Sequence, residues 1–82
     1  MGRSRRDTRV YELKDGRQIV YFGITNNPDR RLSEHVKSDK EFTHMNLVSP
    51  KLSRKSAESM EAKKIRGYDN GRGPKFNTRK TR

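Results

Sequence analysis

The sequence predicts an α+β domain, a small antiparallel three-stranded sheet flanked by helices, and three stretches carry that expectation. Arg9-Val10-Tyr11-Glu12-Leu13 alternates and Gln18-Ile19-Val20-Tyr21-Phe22-Gly23-Ile24 is β-branched and aromatic, with Asp15-Gly16 between them, which is a hairpin pattern. Asn27-Pro28-Asp29 reads as a helix start: an N-cap, a proline whose missing N–H costs nothing at the first position, and an acid against the dipole. Ala57, Met60, Glu61, Lys64 and Ile65 then recur at helical spacing.

Within the hairpin, loop length decides which side chains meet. A three-residue loop, Asp15-Gly16-Arg17, sets Tyr11 opposite Tyr21 and Leu13 opposite Ile19, whereas a two-residue loop puts the tyrosines on opposite faces. The first register is expected, because it stacks an aromatic pair and an aliphatic pair on one face. The helix from Asn27 runs to about Lys37, with Leu32 and Val36 as its apolar stripe and Arg31 and His35, also one turn apart, on the flank of that stripe. A weak third strand follows at Thr43-His44-Met45-Asn46-Leu47-Val48 before Pro50. The second helix spans Ser53 to Arg66, capped by Ser53 or Ser56 and ended by Gly67. Glu61 is the one carboxylate on its inward stripe; it either serves a site there or pairs with Lys64 or Lys37.

Composition limits what this fold can be used for. Eighty-two residues, 27% of them apolar, allow one domain with a thin core. The absence of cysteine excludes disulfide frameworks and thiolate metal sites. The longest apolar run, Ile19-Val20-Tyr21-Phe22, is far short of a membrane span, and no signal-peptide core is present, so the expectation is a soluble, cytoplasmic protein without a membrane partner. The net charge of +11 favours a polyanionic partner, nucleic acid first. Residues 1–9 carry +3 of it and residues 72–82 carry +5, as basic tails suited to non-specific phosphate contact. The expected organisation is a basic tail at 1–8, a domain at 9–77 and a second tail at 78–82.

Two facing tyrosines, a helix presenting Arg31 and His35, and an inward Glu61 describe a polar site over a small sheet. With these residues the chain resembles the GIY-YIG endonuclease family. Arg9-Val10-Tyr11 is similar to the first signature with its Gly and Ile replaced, and Tyr21-Phe22-Gly23 to the second with Phe for Ile. Gly23-Ile24-Thr25-Asn26-Asn27-Pro28-Asp29-Arg30-Arg31-Leu32 with His35 resembles the strand-to-helix segment that holds the family's arginine, and the Glu61 helix and Phe76-Asn77 resemble the remaining elements.

The resemblance implies a DNA endonuclease that hydrolyses phosphodiester bonds with one Mg²⁺ (or Mn²⁺) per site. It implies that Glu61 holds the metal and that Arg31 contacts the phosphoryl oxygens. Mg²⁺ keeps several waters and needs only one or two carboxylates, so a lone Glu61 suits it. Either Tyr11 or Tyr21 accepts the proton of the attacking water, which requires a nearby cation to lower the cost of a phenolate, and His35 serves as proton shuttle or phosphate ligand. Arg30, Lys64, Arg72, Lys75, Arg79 and Lys80 are the candidate DNA contacts, and Gly23 and Asn77 are structural, Gly23 as a close approach of backbone to phosphate or a bulge. Since the family borrows specificity from attached domains, a separate specificity protein or low specificity is expected. The alternatives are a non-catalytic nucleic-acid-binding module of the same fold and a basic protein-interaction module.

Overall fold

The hairpin forms, but by a two-residue turn and a bulge. A computed structural model describes residues 6–38, 41–68, 74 and 76. Strand β1 (Arg9–Asp15) pairs antiparallel with β2 (Gln18–Thr25) across Gly16-Arg17, where Gly16, at φ 65°, supplies the left-handed backbone a tight turn needs. Lys14 pairs with Ile19 but Leu13 pairs with Tyr21, so Val20 is an extra residue on β2. The expected three-residue loop, with Tyr11 opposite Tyr21 and Leu13 opposite Ile19, is therefore corrected. Tyr11 stands opposite Gly23 and Leu13 opposite Tyr21. The bulge restores what the shorter turn takes away, since the extra residue returns Tyr21 to the face of Tyr11 and Leu13. Outside the sheet, the Val20 carbonyl accepts the Phe76 N–H at 2.7 Å, so a distant segment satisfies a backbone group at the irregularity.

Gly23 is explained by this register. It lies inside β2 beneath the tyrosine rings: a Cβ there would overlap the Tyr11 phenol and come within 2.8 Å of the Tyr21 ring. The bulge is at Val20, three residues earlier, so the reading of Gly23 as a bulge is corrected as well. Gly23→Ala is expected to cost about 1–3 kcal/mol by overpacking. Thermal denaturation checks this, and an unchanged melting temperature would show that the tyrosines move aside freely.

Strand β3 (His44–Leu47) pairs with the other edge of β1, giving the order β2-β1-β3. Its four residues have little strand character, and side chains extend the pairing at both ends. Thr43 Oγ1 donates to the Lys14 carbonyl and accepts the Gly16 N–H, and Ser49 Oγ accepts the Val10 N–H at 2.9 Å. As the central strand, β1 holds Val10, Tyr11 and Leu13 buried.

Helix α1 (Pro28–Val36) starts where expected, with the Asn27 side chain accepting the Arg30 N–H at 3.1 Å. Its burial is not as expected. His35 is its one buried residue, while Leu32 is 37% and Val36 67% exposed, so the Leu32/Val36 stripe does not face the core. Helix α2 (Arg54–Arg66) has Ser53 as its N-cap, accepting the Ser56 N–H, and buries Ala57. It meets the sheet on the Phe22 side, opposite the tyrosines: Lys64 Nζ lies 6.0 Å from the Phe22 ring centre, and Tyr68 packs edge-on against the same ring. Among the described residues no helix is long and apolar enough to cross a membrane. Arg72, Lys75, Asn77, Arg79 and Lys80 lie outside the described residues.

Candidate active site

On the face opposite α2, β1 and β2 present Tyr11 and Tyr21, and α1 lays His35 against both. The tyrosine rings are 6.0 Å apart, and the imidazole meets Tyr11 at 5.6 Å and Tyr21 at 5.2 Å, edge to face in each case. Tyr11 Oη and His35 Nε2 share a buried hydrogen bond of 2.7 Å. A nine-residue helix that buries only a histidine is anchored to the sheet through this polar contact.

Burial pushes the Tyr11 phenol well above its ordinary range. The neighbouring Tyr21 acts in the same direction, while the Arg31 guanidinium lowers it and Glu61, the weakest influence, raises it again. The cation expected to make a phenolate cheap is therefore present in Arg31, but dehydration outweighs it. Tyr11 is held neutral, and any proton it accepts must be matched by one it gives up. His35 Nε2 is placed to receive that proton.

Arg31 stands one turn before His35. Its Nη1 pairs with Glu34 at 3.1 Å, while its Nε is buried with no hydrogen-bond partner among the described residues. This N–H is a buried donor that the described residues leave unsatisfied. Glu34 was not among the candidates read from the sequence. Its spacing, three residues after Arg31 and four after Arg30, was the available signal, and Arg30 sits 4.0 Å from the same carboxylate. Lys64, a candidate DNA contact, has its Nζ 6.0 Å from the centre of the Phe22 ring.

Glu61, on α2, is partly buried and makes no ion pair among the described residues, so neither Lys64 nor Lys37 claims it. Burial raises its pKa first, Glu58 raises it further, and Arg54 lowers it; Arg54 is itself paired with Glu58 at 3.1 Å. A dehydrated carboxylate without a bound cation suits a hydrated divalent ion. No group of three or more His, Cys, Asp or Glu that could hold a metal occurs among the described residues. A single carboxylate fits an ion that keeps most of its waters, and Glu61 is the residue that would hold it.

Tyr11, Tyr21 and His35 are in mutual contact, and Arg31 lies one turn before His35 on α1. Glu61 is on α2, on the other face of the sheet, and its charge is only a minor influence on the Tyr11 phenol, so the expected convergence of all five on one face extends to four of them. No curated protein and no solved structure matches the chain. Residues 9–70 match the GIY-YIG catalytic domain, the span running from the first residue of β1 to beyond α2, and the chain belongs to that family of nuclease domains.

Proposed function

We propose that this domain is a divalent-metal-dependent DNA endonuclease, and the observation that carries the reading is the buried Tyr11–His35 hydrogen bond beside the open Nε of Arg31. Phosphodiester hydrolysis needs a positioned water that loses a proton, together with donors aimed at the non-bridging oxygens. Here the Tyr11 oxygen takes the proton from the water as its own proton passes to His35 Nε2. The phenol is neutral before and after, so no buried phenolate forms. The water oxygen bonds to phosphorus, the P–O3′ bond breaks, and the leaving oxygen takes a proton from solvent.

Arg31 Nε donates to a phosphoryl oxygen and holds the phosphate beside Tyr11. Tyr21 packs against both partners and fixes the ring orientations. Glu61 holds Mg²⁺ or Mn²⁺, which when bound supplies positive charge to the reacting phosphate. Arg30, Lys64, Arg72, Lys75, Arg79 and Lys80 supply the sequence-independent attraction to duplex, and a separate protein supplies specificity. The relay requires an imidazole with Nε2 free to accept, so protonation of His35 stops it.

A second reading is a nucleic-acid-binding module without catalysis, favoured by the Glu34 carboxylate that already occupies Arg31 Nη1. Supercoiled plasmid with and without Mg²⁺ separates the two. Conversion to open-circular or linear product only with the metal supports the nuclease, and retarded but uncut plasmid supports the binding module.

A further inference from the structure

The apolar stripe that α1 withholds from the core forms one wall of a cleft. The cleft has a volume of about 710 Å³ and runs between α1 and the segment entering β3, with Leu32, Val36, Phe42 and Met45 as its apolar lining. Cavities that bind other molecules usually fall in the ~300–1,000 Å³ range. Val36 is 67% exposed, and Leu32, one turn away, is 37% exposed. Placing two aliphatic side chains on the solvent side of a nine-residue helix is costly unless something covers them.

The polar rim indicates what that is. Asp15 and Glu41 line the cleft, both exposed, and neither has an ion pair among the described residues. Lys and Arg supply 21 of the 82 residues, yet among the described residues none lines this cleft. An acidic, apolar patch on a chain of net charge +11 is a poor match to nucleic acid and a good match to a cationic amphipathic partner.

We infer that the α1–β3 cleft is a docking site for a protein segment that places two or three apolar side chains against Leu32, Val36, Phe42 and Met45 and pairs its lysines or arginines with Asp15 and Glu41. An amphipathic helix laid in the groove has this chemistry. The cleft adjoins the tyrosine cluster, since Phe42 packs edge-on against His35 at 6.2 Å, but its existence does not depend on whether the domain cleaves DNA.

The full chain is titrated with two labelled peptides of about three helical turns that share one leucine face, flanked in one by lysines and in the other by glutamates. Net charge alone favours the glutamate peptide. The docking site reverses that order: the lysine peptide binds at least about tenfold tighter and shifts the amide resonances of Leu32, Val36 and Phe42–Met45. Val36→Ser and the pair Asp15→Asn with Glu41→Gln each weaken it about tenfold without changing the melting temperature, since all three side chains are exposed. A preference for the glutamate peptide, or no shift of the cleft amides by either, overturns the inference. So does a dimer of the free chain that Val36→Ser dissociates, because a second copy would then be the occupant.

Discussion

Tyr11→Phe is expected to slow single-turnover DNA cleavage by about 10²–10⁴-fold while leaving affinity for the same duplex within about a factor of two. The phenol oxygen shares the buried hydrogen bond with His35 Nε2, and a phenyl ring preserves the packing against Tyr21 without it. Losing the buried 2.7 Å hydrogen bond should also lower stability, by about 1–3 kcal/mol. His35→Ala is expected to produce a comparable loss of rate, and the double variant should be little slower than either single one, because the two residues act as a unit. Fully additive losses would mean that proton transfer does not run through this bond. Measuring the cleavage rate with enzyme in excess, alongside affinity in chelator, separates chemistry from binding.

The second large effect belongs to Glu61. Glu61→Gln is expected to abolish metal-dependent nicking, with affinity for DNA unchanged or improved because a negative charge near phosphate is removed. The same change should stabilise the fold. Burial and Glu58 raise the Glu61 pKa above its unfolded value, so the native state disfavours the ionised carboxylate. Its relative stabilisation is complete below the unfolded pKa and is lost as pH rises through the raised folded value. Glutamine has no charge to bury, so the variant should melt higher than the parent near neutral pH, and the advantage should vanish as pH falls into the carboxylate range. A variant that still cleaves with Mg²⁺ would assign the metal to another ligand. One that melts lower at neutral pH would show that Glu61 is held by a cation.

Local signals in the chain carried much of this site. The Asn27 cap, the Ser53 cap and the Gly16 turn follow from chemistry within a few residues, and the structure has all three. The tyrosine pair forms through a different register, by a bulge at Val20 whose carbonyl accepts the N–H of Phe76, more than fifty residues away, and no local pattern encodes that hydrogen bond. Helical spacing correctly grouped Leu32 with Val36 and Arg31 with His35. It could not say which edge of α1 the sheet covers, and here the sheet takes the His35 edge. Residue type alone gave no sign that the cationic influence of Arg31 on Tyr11 is outweighed by burial, since that balance depends on how deeply Tyr11 is packed. In the proposed mechanism that balance replaces a phenolate base by a neutral relay.

The proposed metal-dependent hydrolysis, with Tyr11, His35 and Arg31 on one face of the sheet and Glu61 supplied by α2, is tested most directly by the cleavage of an end-labelled duplex by excess protein in Mg²⁺, with the same mixture in chelator as the control and the bound fraction measured in both. The expected result is 5′-phosphate and 3′-hydroxyl ends that accumulate only with the metal, at equal bound fractions. A duplex that is fully bound in Mg²⁺ or Mn²⁺ and stays intact would contradict it and leave a DNA-binding module.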